Sequence, residues 1–123
     1  MKKILIVDDD DTIRDVLSYA LSEFGYKTFK ANNGVKALEA LELNPDIEIV
    51  ILDLRMPVMS GQELCPRLKK LKPSLKVIVS SAFVDEITLK ELHDIGVRCI
   101  LRKPYPLELL NDIITDLSRC QEI

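Results

Sequence analysis

Apolar residues fall into two rhythms along this chain. Ile4-Leu5-Ile6-Val7, Ile49-Val50-Ile51-Leu52, Val77-Ile78-Val79 and Cys99-Ile100-Leu101 are apolar at consecutive positions, and Lys27–Ala31 forms a fifth short segment of similar length. Such runs predict strands buried on both faces, as in a parallel sheet.

Between them the spacing turns helical. Ile13, Val16, Leu17, Ala20, Leu21 and Phe24 make one stripe, with Gly25 placed to end the helix. Asn32-Asn33-Gly34 leads into a second helix with Val35, Leu38 and Leu41 inward, stopped by Asn44-Pro45. Ser60-Gly61-Gln62-Glu63 reads as a capping box opening a third, which places Leu64, Leu68 and Leu71 on one face. Pro66 lies one turn into that helix and predicts a distortion, because proline lacks the backbone donor. A fourth helix spans Asp85 to Ile95 and closes at Gly96; a fifth begins at Pro106 and buries Leu110, Ile113, Ile114 and Leu117.

Strict alternation of strand and helix predicts an α/β domain over residues 1–123, a doubly wound parallel sheet with helices on both faces and right-handed crossovers. Apolar residues at 47% and charged residues at 30% fit a soluble globular chain, and the longest apolar runs, four residues, are far too short to cross a bilayer. With no apolar stretch suited to a signal peptide, the expected location is cytoplasmic. The net charge of −3 and the absence of a basic stripe argue against direct nucleic-acid binding; the lysines of Arg67–Lys72 read as a solvated helix end. Cys65, Cys99 and Cys120 are odd in number and lack metal-ligand spacing, so they read as reduced thiols filling space. His93 reads as a partly exposed helix residue.

The chemistry gathers where the apolar runs stop. Asp8-Asp9, Asp53, Ser80-Ser81 and Arg102-Lys103 each follow a strand, and in open parallel sheets ligands bind beyond the carboxyl ends of the strands. Three carboxylates at close quarters repel one another, and a hard divalent cation such as Mg²⁺ resolves that repulsion with oxygen ligands while leaving room for a phosphate. Phosphoryl transfer needs charge neutralisation and in-line positioning more than covalent help. In this arrangement Asp53 is the nucleophile, Lys103 offsets charge and the Ser81 hydroxyl donates to a phosphate oxygen. Asp10 or Asp11 is left to cap the first helix.

Ile4-Leu5-Ile6-Val7-Asp8-Asp9, Ile51 to Pro57 with Ser60-Gly61, Val79-Ser80-Ser81-Ala82 and Arg102-Lys103-Pro104 together resemble the receiver domains of two-component response regulators, with matching spacings over essentially the whole chain. The resemblance implies a flavodoxin-like (βα)5 sheet in the order 2-1-3-4-5. It implies that Asp53 takes a phosphoryl group from a histidine kinase or histidine phosphotransfer protein, with Mg²⁺ held by Asp8, Asp9, Asp53 and the backbone carbonyl of Arg55. A cis peptide before Pro104 is implied as well, at the residue type where cis costs least. Phosphorylation would draw the Ser81 hydroxyl inward and bias the face made by the fourth helix, fifth strand and fifth helix, selecting a minor conformation. Such a domain catalyses only its own phosphorylation and dephosphorylation. Ile100 departs from the family, which usually carries Tyr or Phe there, and Tyr105 stands where Phe is commoner. The reader of the signal, whether a separate partner or a fused effector domain, is not legible, and a phosphorylation-dependent dimer stays open.

Two rival readings remain. Asp8-x-Asp10-x-Thr12 matches the nucleophile motif of haloacid-dehalogenase-type phosphatases, but the acidic pair expected after the lysine is reduced to Asp112 and Asp116 on a helix, and Asp53 is left without a role. A phosphate-independent interaction module is the other; such relics lose an acidic pocket residue or the lysine, and this chain has both.

Overall fold

The computed structural model of the chain describes residues 2–56 and 59–120. The apolar runs form five strands, β1 (Lys3–Val7), β2 (Lys27–Ala31), β3 (Ile49–Leu52), β4 (Lys76–Ser81) and β5 (Cys99–Arg102). They alternate with helices α1 (Asp11–Glu23), α2 (Gly34–Leu43), α3 (Gly61–Leu71), α4 (Glu86–Asp94) and α5 (Leu107–Thr115), and a short 3-10 turn, Leu117–Arg119, follows. All strands pair in parallel in the order β2-β1-β3-β4-β5, the topology expected from the sequence.

Alternation along the strands divides the core. Leu5, Val7, Val50, Leu52, Val77, Val79 and Ile100 pack with α2, α3 and α4 on one face. Ile4, Ile6, Ile49, Ile51, Ile78, Cys99 and Leu101 pack with α1 and α5 on the other. Burial on both faces explains why these strands read as unbroken apolar runs. The strands outlast the apolar runs at the carboxyl end: β4 continues to Ser81 and β5 to Arg102, because the ladder pairs Ser80 with Leu101 and Ser81 with Arg102 through backbone groups that need no apolar side chain.

The helix starts follow capping chemistry. Asp10, Asn33, Ser60 and Asp85 each accept a hydrogen bond from the backbone N–H three residues on. Gly25 and Gly96, both in the left-handed region, end α1 and α4. The inward stripes are narrower than the spacing predicted. In α1 only Leu17 and Leu21 are buried, while Val16 and Phe24 are exposed; Val35 in α2 and Leu71 in α3 are exposed too. A helix laid on a sheet buries one face, and the residues flanking that face turn to solvent. Helix α3 runs unbroken through Pro66, with its buried face on Leu64, Cys65 and Leu68. The expected distortion reduces to one lost backbone bond, since proline offers the Gln62 carbonyl no N–H.

The cysteine reading needs correction. Cys99 on β5 and Cys120 beyond α5 are joined in a disulfide, their Cα atoms 5.6 Å apart, and only Cys65 is a free thiol. Sequence spacing gave no sign of it, because the pair meets only once α5 packs back over β5. Burial pushes the Cys65 thiol up to about 11. His93 is exposed on the last turn of α4. No helix among the described residues is long and apolar enough to cross a membrane.

Candidate functional site

Register brings the acidic residues together. Val7 pairs with Leu52 across β1 and β3, so the residues that follow them, Asp8 and Asp53, leave adjacent strands side by side. The Asp53 N–H donates to the Val7 carbonyl at 3.0 Å and extends that ladder by one step. One carboxylate oxygen from each of Asp8, Asp9 and Asp53 lies within 4.8 Å of the others. Asp8 and Asp53 are buried and Asp9 is exposed at the rim.

Each member is held by its neighbours. Asp8 accepts from the Asp10 N–H at 2.9 Å and from the Lys103 ammonium at 3.1 Å. Arg14 donates to the Asp8 carbonyl at 2.8 Å, which fixes the start of the loop that carries all three leading aspartates. Asp53 Oδ1 accepts from the Arg55 N–H at 3.3 Å and lies 3.9 Å from Lys103 Nζ. Its other oxygen has no hydrogen-bond donor among the described residues. Burial raises the Asp53 carboxyl above the usual aspartate range; Lys103 and the Arg55 N–H pull it back, and the charges on Asp8 and Asp9 push it up. The cluster therefore carries more negative charge than its one ammonium balances, a donor set of hard oxygens that suits a divalent cation.

Two glycine and proline positions shape the rim. A Cβ on Gly61 would meet the Asp53 carbonyl at 2.6 Å and the Leu54 Cα at 2.8 Å, both backbone atoms that cannot swing away. Only glycine lets α3 begin this close to the end of β3. The Lys103–Pro104 bond is cis, as the resemblance implied.

The backbone of Arg55 turns back on Asp53, and its residue is exposed. The Ser81 hydroxyl donates to the Phe83 carbonyl at 3.1 Å, while its carbonyl accepts from the Lys103 N–H at 2.9 Å. Pro57 lies outside the described residues. Ile100 is buried against the α4 side of the core.

One pair escaped the sequence reading. Ser80 is buried, and its hydroxyl shares a hydrogen bond of 2.9 Å with the hydroxyl of Tyr105. Burial raises the Tyr105 phenol above its usual value, opposed by the Ser80 hydrogen bond and the Lys103 charge. The only signal available was a second serine in an otherwise apolar strand.

A family model described as the response regulator receiver domain matches residues 4–115. Sporulation initiation phosphotransferase F of Bacillus subtilis is 33% identical over 114 residues, covering 92% of this chain and 90% of that protein. Regulatory protein AtoC of Escherichia coli is 35% identical over 124 residues, but this chain spans only 26% of its length. Among solved structures, chemotaxis protein CheY4 of Vibrio cholerae superposes with a TM-score of 0.87 at 26% identity, covering 94% of this chain and 97% of that one.

Proposed function

The chain belongs to the response regulator receiver domain family, and on that premise we propose that Asp53 is its phosphoacceptor. The observation that carries this reading is the state of the Asp53 carboxylate: buried, just beyond the end of the central strand, with one oxygen engaged by Arg55 and Lys103 and the other without a donor among the described residues. The unengaged oxygen attacks phosphorus in the donor. A bond forms between Asp53 oxygen and phosphorus, and the bond from phosphorus to the donor nitrogen breaks. The electron pair stays on the imidazole of a histidine kinase or histidine phosphotransfer protein.

Lys103 is the fixed cation of the site. Its ammonium lies closer to Asp8 than to Asp53, so it offsets part of the pocket's charge without capturing the nucleophile. Asp8, Asp9 and Asp53, with the Arg55 carbonyl, would hold Mg²⁺, which when bound offsets the charge of the phosphoryl oxygens. Ser81 supplies the switch. Its hydroxyl is engaged by the Phe83 carbonyl, and a phosphoryl oxygen on Asp53 is a stronger, charged acceptor that competes for the same proton. Turning that hydroxyl inward breaks the Phe83 contact and alters the segment leading into α4.

The protein is thus a phosphorylation switch that catalyses only its own phosphorylation and dephosphorylation, in the cytoplasm, with residues 1–123 as one receiver domain. Incubation with acetyl phosphate and intact-mass spectrometry tests the reading. A Mg²⁺-dependent phospho-adduct is expected in the wild type, and its absence would favour an interaction module that works without phosphate.

A further inference from the structure

Beyond the residues that touch the phosphoryl group, we propose that Ser80 and Tyr105 are positioning residues, and that the hydrogen bond between their side chains aims the Lys103 ammonium at the acidic pocket. The inference rests on the phosphoacceptor reading above and extends it to the segment that carries the lysine.

Lys103 sits at the end of β5 on a long flexible side chain, only one-fifth exposed, with its ammonium 3.1 Å from Asp8 and 3.9 Å from Asp53. Holding it there requires that the chain leave β5 in one direction. Strand β4 grips that chain twice. The Ser81 carbonyl accepts from the Lys103 N–H at 2.9 Å, which fixes where the lysine begins. Two residues on, the Tyr105 hydroxyl meets the Ser80 hydroxyl at 2.9 Å, which fixes where the chain goes next. Ser80 follows Ile78 onto the face covered by α1 and α5, and the Tyr105 ring packs into that same cluster. One grip is a backbone bond in the plane of the sheet and the other a side-chain bond on the α1 and α5 face, so the Lys103 segment is held at two separate points.

The chemistry of Ser80 argues against a filler role. Its residue is 2% exposed in a strand whose preceding residues, Val77, Ile78 and Val79, are apolar. A hydroxyl in that setting costs free energy unless it is paired, and an apolar residue would suit the packing as well. The pair gains direction, because the tyrosine must reach one particular point on β4. Tyr105 also differs in placement from the aromatic that the family carries at the position of Ile100: Ile100 faces α4, whereas Tyr105 lies on the α1 and α5 side.

The test compares wild type with Tyr105→Phe, Ser80→Ala and the double variant, using acetyl phosphate with Mg²⁺ and mass-spectrometric rates. Each single change should slow phosphorylation about tenfold, the equivalent of one lost hydrogen bond, and the double should be no slower than the worse single. In a Lys103→Ala background neither change should slow the residual rate further. Reductive methylation mapped by peptide mass supplies a readout independent of activity: Lys103 should be modified severalfold faster in each variant, with the other lysines unchanged. Equal slowing with and without Lys103, or an unchanged methylation rate at Lys103, would overturn the inference by making the pair merely structural. Normal phosphorylation in Tyr105→Phe would overturn it alone and leave Asp53 in place. A wild type that takes no phosphoryl group would bring down the phosphoacceptor reading and this inference with it. Ser80→Ala, a smaller change, guards against loss of fold in Tyr105→Phe, since both remove the same bond.

Discussion

The two rims of the sheet use charge in opposite ways. At the amino-end rim Lys3 pairs with Asp46, and three further lysines are taken up by backbone carbonyls. Lys2 donates to the Ile114 carbonyl at the end of α5, Lys69 to the carbonyls of Pro73 and Leu75, and Lys72 to those of Pro45 and Ile47. These cations satisfy carbonyls at helix ends and in strand-entry loops, where partial negative charge collects. At the carboxyl-end rim three carboxylates meet one ammonium, and burial holds the Asp53 carboxyl above the usual aspartate pKa range. Satisfied charge at one rim stabilises the fold. Unbalanced, partly buried charge at the other is a standing cost, and it is the rim to which the proposed phosphoryl chemistry is assigned.

The largest expected effect breaks the carboxyl-end rim. Asp53→Asn should remove the phospho-adduct completely by intact mass, while Asp9→Ala, which leaves the nucleophile, should shift the Mg²⁺ concentration needed for phosphorylation upward. An unchanged Mg²⁺ requirement in Asp9→Ala would remove that residue from the metal set.

Next in size is the tie that neither rim supplies. The disulfide between Cys99 and Cys120 spans 21 residues of sequence, including Lys103 and all of α5. By the chain-entropy account, Cys120→Ser should cost about 3 kcal/mol against the oxidised wild type, read by urea unfolding. Reductant should bring the wild type down to the variant and leave the variant unmoved.

A smaller effect tests the amino-end rim. Lys72→Met should lower stability by about 1 kcal/mol through its lost bonds to Pro45 and Ile47, with phosphorylation unchanged. A slower phosphorylation rate in this variant would contradict the division between the rims.

The finest effect concerns sign. Burial raises the folded-state pKa of Asp53, so folding binds this proton more tightly than the unfolded chain does. The associated stability is fully present below the usual aspartate range and is lost as pH rises through the folded value. At neutral pH, ionised Asp53 therefore destabilises the fold, and Asp53→Asn should raise the urea midpoint. That gain should fade on acidification below the usual aspartate range.

Much of this was readable in the residues because parallel strands and their end residues follow local rules. Ile4–Val7 and Ile49–Leu52 announce strands buried on two faces, and Asp8 and Asp53 necessarily stand at their ends. Ser60 and Gly61 announce the start of α3, although only the packed structure explains why position 61 tolerates nothing larger than glycine. What stayed hidden depends on distant segments meeting. Cys120 reaches Cys99 only after α5 folds back, and Tyr105 finds Ser80 only once β5 has paired with β4. The exposed Val16, Val35 and Leu71 were misplaced because helical spacing identifies an apolar side without fixing how wide a stripe the sheet will cover.

The central claim is that one carboxylate, Asp53, takes the phosphoryl group. After acetyl phosphate treatment, borohydride reduction converts an aspartyl phosphate to homoserine, and peptide mass spectrometry locates it. Homoserine at position 53 alone is the result expected here, whereas homoserine at position 8 would assign the nucleophile to the other strand and contradict the account.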